Sequence, residues 1–381
     1  MNILLIANGW SGKDGWSRYS VNLRDALVAR SHRVEVLTPP APLSFLSRPW
    51  RSFFLARKIR RFEEEHPIDV LHFTVEPYAT SILFLPKKIR EKSVLTIHGN
   101  YGIRPFRLWR SKLMTKMAYR RIPKFITVSR YTKDAVIKEL KRINKPALAK
   151  RFEERATVIH NGIPLPPFSS SEESASADDE SRSFSTRPAA RGSLEENTKQ
   201  ILHVGGIKPA KGVGETIEAC ALYKEKYGKP FHLTIIGKVW KDHYLKGLEL
   251  EIKQKHLEDS VTFRGPVSEE ELASAYRNAD LLLVPSMTTQ ATFEGFGLVY
   301  LEANAYGVPV IGPHVSGSAE AIKDGVSGYQ IDVFHPEMIA MRIHWILDEG
   351  RIKPEECRKW AEGHSMEKVA AEVEKVYSTS C

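Results

Sequence analysis

An alternation that runs twice through the chain limits its fold most. In the first half, short apolar runs (Ile3–Ala7, Val34–Leu37, Val70–Phe73, Val94–Ile97, Phe125–Val128 and Thr157–Ile159) are separated by helical patterns such as Val21–Ala29 and Arg51–Glu65. The pattern restarts with Ile201–Val204, Leu233–Ile236, Val261–Phe263, Leu281–Val284 and Val308–Ile311, between helices at Gly214–Lys226, Lys246–Lys255, Glu269–Arg277 and Gly297–Ala305. Strand and helix taken in turn predict βαβ units on a parallel sheet, so the fold class is α/β. At 381 residues the chain is long for one core. We expect two domains, 1–167 and 200–362. A Ser-rich, acidic tract between them (168–199) has too few large apolar residues to bury a core and reads as a flexible linker. A last amphipathic helix, Met366–Tyr377 within 363–381, is expected to pack back toward the first domain.

Three cysteines with no CxxC pair exclude a disulfide framework and a thiolate zinc site, and fit a reducing cytosol. The apolar start of the chain is too short for a signal peptide, and no run approaches the ~20 residues of a membrane span. A cytoplasmic protein is expected. Charge is unevenly spread. Residues 1–167 carry an excess of 19 basic groups over acidic ones, whereas 201–381 carry a net charge of −6. The first half is therefore expected to meet an anionic surface. Two basic-aromatic segments carry most of the excess, 48–61 and 104–121. In the second, Trp109, Leu113 and Met117 recur at helical spacing beside Lys112, Lys116 and Arg120. Such a helix suits the inner face of the cytoplasmic membrane. It is equally the pattern of a helix that packs its apolar stripe on a sheet.

Chemistry-bearing residues cluster after predicted strands. Asn8-Gly-Trp-Ser-Gly-Lys-Asp-Gly15 links the first strand to a helix, as a phosphate-approaching loop or a plain turn would. His98 ends the strand Val94–Ile97, where open α/β sheets bind ligands. Glu294-Gly-Phe-Gly-Leu-Val-Tyr-Leu-Glu302 sets two carboxylates eight positions apart around a glycine turn and a helix start. The first amides of such a helix lack partners and suit an anion or a sugar oxygen. Two solvated glutamates would give the same pattern. Asp178-Asp179-Glu180 lies in the low-complexity tract, and no Asp-x-Asp ends a strand, so no divalent metal is expected.

Taken in order, these motifs resemble the retaining, GT-B-fold glycosyltransferases of family 4. The resemblance is carried by Val204-Gly-Gly-Ile-Lys-Pro-Ala-Lys211-Gly212, Asp280-Leu-Leu-Leu-Val-Pro285-Ser286, the Glu294–Glu302 stretch, Gly307-Val-Pro-Val-Ile311, Gly325-Val-Ser-Gly328, Val128-Ser129 and His160-Asn-Gly-Ile163. It implies two Rossmann-like domains facing each other across a cleft. It also implies metal-independent transfer of a sugar from a UDP- or GDP-sugar to an acceptor hydroxyl, with no cofactor beyond that co-substrate. His98, Lys211 and Glu294 would be catalytic. Gly15, Gly205, Gly206, Lys208, Phe296, Gly297, Leu298, Val299 and Glu302 would bind the donor, Glu302 at the ribose. An arginine usual in the family is Gly206 here, leaving Lys208 to supply the second cation, and the loop from Met287 to Phe293 is longer than usual. The acceptor is expected to be a lipid-linked or membrane-associated glycan precursor. Transfer to a small soluble acceptor, and nucleotide-sugar epimerisation on a similar fold, stay open. Nucleic-acid binding by the basic half lacks a recognisable module.

Overall fold

The computed structural model describes residues 1–9, 15–166, 198–289 and 292–379. The Asp178–Glu180 cluster, residues 10–14 of the first glycine loop and all of the 168–199 tract except its last two residues lie outside them. Thr198 precedes, and Lys199 opens, a strand, so the second sheet starts two residues before the expected Ile201.

Two compact units form. In the first, six parallel strands, β1 (Asn2–Ile6), β2 (Arg33–Leu37), β3 (Val70–Phe73), β4 (Ser93–Ile97), β5 (Lys124–Thr127) and β6 (Ala156–Val158), are ordered β2-β1-β3-β4-β5-β6. Alternation along β1 sends Leu4 and Ile6 to one buried face and Ile3 and Leu5 to the other. The second face is covered by the helices Gly15–Ala29 and Met366–Ser378, whose Leu23, Val369 and Val373 join its core. The terminal helix is therefore part of the first unit. Glu374 on it accepts two hydrogen bonds from the Arg30 guanidinium (2.7 and 2.8 Å) and lies 2.7 Å from His32 Nε2. His160–Ile163 receives its start: Ile163 N–H donates to the His364 carbonyl, and Met366 N–H donates to that of Ile163.

The second unit repeats the plan with β7 (Lys199–Val204), β8 (Phe231–Ile236), β9 (Val261–Arg264), β10 (Leu281–Leu283), β11 (Val310–Pro313) and β12 (Gly328–Ile331), ordered β12-β11-β10-β7-β8-β9 and again parallel. Its core gathers Ile201, Leu233, Leu281 and Ile311 under the helices Val213–Tyr227 and Pro336–Leu347. Unlike the expected division, Thr289–Gly297 belongs to the first unit, and the second resumes at Leu298.

Candidate active site

The sequence candidates fall into two groups, one in each unit. In the first unit, His98 follows β4 and Gly99 takes φ +139°, a backbone open to glycine. The segment carrying Glu294 is sewn to this strand end. Asn100 donates from Nδ2 to the Phe293 carbonyl (3.1 Å) and accepts the Phe293 N–H on Oδ1 (3.0 Å). Ser129, after β5, donates to the Gly295 carbonyl at 2.7 Å. Phe296 is buried and stacks on His160 with ring centroids 5.2 Å apart. Gly297 has φ +79°, turning the chain into the next helix. His98 and half-buried Glu294 are thus held on the same unit, although a reading by sequence puts them in different domains.

The His98 ring donates from Nε2 to the Thr74 carbonyl at 2.9 Å, and the edge of Tyr19 meets it at 4.6 Å. A carbonyl only accepts, so the proton resides on Nε2. Burial pulls the ring pKa down to about 4, against the pull of the Thr74 bond. Near neutral pH, Nδ1 carries the lone pair, and the ring can offer a ligand an acceptor there.

Glu76 was not singled out from the sequence. It follows β3 in a buried turn and is 6% exposed. Its Oε1 accepts the His98 backbone N–H at 2.8 Å. Oε2 is buried and has no hydrogen-bond partner among the described residues. Burial raises its pKa to about 7, opposed by its own and the His98 amides and by the Trp16 indole. The rule that marked His98, a polar residue just beyond a strand's carboxyl end, would have marked Glu76 too. Gly15 is exposed, and a Cβ there would meet nothing within 4 Å among the described residues.

In the second unit, β7 runs into Gly205 and Gly206. The Lys211 stem lies across Gly205, its Cδ 3.4 Å from where a Cβ there would sit. Lys211 ends a 3₁₀ turn, Pro209–Lys211, and Gly212 then takes φ +71° to open the helix Val213–Tyr227. A Cβ on Gly212 would come within 2.1 Å of the Pro285 carbonyl oxygen, so loop and β10 exit are in close contact. Beneath the loop, buried His203 is kept neutral by desolvation and by the Lys211 charge, its pKa falling to about 3. Its Nδ1 lies 3.1 Å from the Thr216 hydroxyl, which donates to the Gly212 carbonyl. Ser286, beside the loop, buries an Oγ that has no partner among the described residues.

Gly206 has a local explanation. A Cβ there would fall 2.6 Å from the Trp240 indole nitrogen, and Lys208 Nζ stands 4.7 Å from the centre of the Trp240 ring. The indole covers the small residue and carries Lys208 over it by a cation–π contact. Sequence reasoning missed Trp240, since nothing local ties it to a loop some thirty residues earlier. Leu298 and Val299 start the helix Leu298–Ala305, and Glu302 lies on its second turn. The buried Tyr276 hydroxyl donates to Glu302 Oε2 at 2.9 Å and fixes the carboxylate. Among the described residues no group of three or more His, Cys, Asp or Glu is placed to hold a metal ion.

A model of the glycosyl transferases group 1 family matches residues 187–364, and one of Glycosyltransferase Family 4 matches residues 13–165. The chain belongs to the family 4 glycosyltransferases. It is 34% identical over 170 residues to the D-inositol 3-phosphate glycosyltransferase of Paenarthrobacter aurescens, a match covering 44% of this chain and 40% of that protein. It is 37% identical over 131 residues to the amylovoran biosynthesis glycosyltransferase AmsK of Erwinia amylovora, covering 34% and 31%. The chain thus spans less than half the length of the curated relatives it matches. The crystal structure of Anabaena HepE in complex with UDP and glucose is 18% identical, with a TM-score of 0.68 over 100% of both chains. Sucrose-phosphate synthase from Thermosynechococcus elongatus, also 18% identical, reaches 0.70 over 99% of this chain and 98% of its own. At such identities the likeness is one of fold, and the fold is the GT-B type of this family.

Proposed function

We propose that this family member transfers a sugar from a nucleotide-sugar donor to an acceptor hydroxyl, with retention of anomeric configuration and without a metal. The observation that carries the reading is the Gly205–Gly212 loop. Lys211 lies along it, Lys208 stands over Trp240 beside it, and a helix N-terminus closes it. Cleavage of a glycosyl phosphate leaves charge on the diphosphate. Two ammonium groups and the positive end of the helix dipole stabilise that charge. The Phe296–Val299 backbone and Glu294 would hold the sugar, Glu302 the ribose, and neutral His98 would accept a hydrogen bond from a sugar hydroxyl. The acceptor would attack from the leaving-group face and pass its proton to a phosphate oxygen, as the family resemblance implies. Crystals of HepE with UDP and with UDP-glucose support a uridine donor.

The exposed basic-aromatic helices of the first unit favour a lipid-linked acceptor in a cytoplasmic protein that works at the membrane surface. The inositol-phosphate relatives favour a second reading, a small soluble acceptor. Incubation with UDP- and GDP-sugars and both acceptor types, with and without EDTA, tests the proposal through released nucleoside diphosphate and the product anomer. Lys211→Ala and Glu294→Ala should each lower turnover at least ~100-fold. Unchanged turnover sinks the site assignment, and sugar conversion with no acceptor present would mark an epimerase.

A further inference from the structure

In the first unit a cavity of about 370 Å³ opens between the turn Pro42–Leu46 and the junction of the helices Asn100–Arg107 and Trp109–Arg121. Its walls are mostly apolar, with Leu43, Leu46, Leu108 and Trp109 facing Tyr101 and Arg104. The Trp109–Leu113 stripe that could have packed on the sheet does not: Trp109 is 81% exposed and Leu113 67%. On the helix Pro49–Glu65, which follows the turn, Trp50 and Phe53 are exposed as well. Exposed indole and aliphatic surface around an apolar cavity marks a binding site rather than ordinary surface.

Two further observations say what occupies it. Neither residues 36–62 nor residues 92–133 contain an aspartate or glutamate, whereas both stretches are rich in arginine and lysine. The segments around the cavity thus carry basic groups in excess, Arg104 in its wall, while Arg107 on the same helix is paired with Glu139. A second copy of the chain would bring a like-charged face, while an anionic amphiphile matches both the charge and the lining. The inner wall also leads toward the candidate site. Tyr101 lies 4.7 Å from Trp16, whose indole hydrogen-bonds Glu76, and Glu76 accepts the His98 amide.

We propose that this cavity holds the hydrocarbon chain of an acceptor that carries a phosphate, with Arg104 at its charged end. The assignment rests on the transferase reading above, but its test needs no turnover. Monoalkyl phosphates from butyl to dodecyl, kept below their micelle concentrations, are titrated into the full chain by calorimetry. Affinity should rise at least ~30-fold along the series, because each buried methylene contributes. Leu43→Asp and Trp109→Ser, both at exposed positions, should each cut that gain ~5-fold or more at unchanged melting temperature. Arg104→Ala should weaken dodecyl phosphate while leaving uncharged dodecyl maltoside unchanged. Affinity independent of chain length, or variants that bind like the parent, overturns the proposal. So does a Leu43-dependent dimer that binds no alkyl phosphate. Chain-dependent binding together with failure to consume any nucleotide sugar would refute the transferase reading and leave this site standing.

Discussion

Gly295 lies against the backbone carbonyl of His98 so closely that a Cβ there would sit 1.8 Å from the oxygen. Gly99 faces it across the same contact, its own Cβ position 3.3 Å from the Gly295 α-carbon. Both partners of that contact are backbone, so no rotamer change can relieve an added methyl group. Gly295→Ala must lift the Phe293–Gly297 segment off the strand ends, breaking the Asn100 and Ser129 bonds and moving Glu294. Overpacking of this kind costs about 1–3 kcal/mol or more. Thermal melts should fall by several degrees, and sugar transfer should drop at least ~100-fold. Gly15→Ala is the control, since its Cβ meets nothing among the described residues, and its melting temperature should match the parent.

Glu76 predicts a pH effect on stability. Its pKa rises from 4.5 to about 7 because burial disfavours the carboxylate. A folded pKa above the unfolded one means that the native state holds a proton the unfolded state releases. The stabilisation is complete below pH 4.5, declines as pH climbs through 7, and is gone above it. The full span is worth about 3 kcal/mol. Glu76→Gln keeps an acceptor for the His98 amide and removes the titration. Urea midpoints at pH 5 and pH 8 should then differ less for the variant than for the parent, and at pH 8 the variant should be the more stable. An equal loss in both proteins would show that Glu76 is ionised throughout.

The parallel sheets were legible because a buried parallel strand is a short apolar run between helical patterns, and eleven such runs mark strands here. β12 was not, because Gly328-Tyr-Gln-Ile331 is short and follows a glycine turn that reads as loop. The glycines and lysine of the Gly205–Gly212 loop stand out in order and spacing. What could not be read is what holds them. Trp240 reaches Gly206 only through the fold, and Asn100 clamps Phe293 from 193 residues away. The placement of Thr289–Gly297 in the first unit depends on such contacts, and no local pattern announces them.

Lys208 and Trp240 should behave as one element. The ammonium gains direction over the loop only while the indole is beneath it. Lys208→Ala and Trp240→Ala should each raise the KM for the nucleotide sugar ~3- to 10-fold, and the double variant should lose less than the product of the two. A coupling of about 0.5–1 kcal/mol is expected for an exposed cation–π pair. Strictly multiplicative losses would mean that Lys208 reaches the donor without help from Trp240. Leaving space above Gly206 has a second consequence: Gly206→Arg in the Trp240→Ala background should recover part of the lost affinity, because the new side chain no longer meets the indole.

Tyr276 should govern nucleotide binding through Glu302. Its hydroxyl donates to Oε2 at 2.9 Å from a buried ring, itself stacked 5.9 Å from Tyr306, so the carboxylate is held by a rigid donor. A hydrogen bond to a charged acceptor contributes about 1.5–3 kcal/mol, but part of that returns when water replaces the phenol. Tyr276→Phe keeps the ring, removes the donor and lets Glu302 rotate. The expected outcome is ~3- to 10-fold weaker binding of the nucleoside diphosphate by calorimetry, with little change in the turnover of a saturated donor. Glu302→Gln should weaken binding further. In that background the added Tyr276→Phe change should have almost no effect, because the group it orients has already lost its charge. If Tyr276→Phe weakens binding equally with and without the Glu302 carboxylate, the tyrosine acts on the nucleotide by another route.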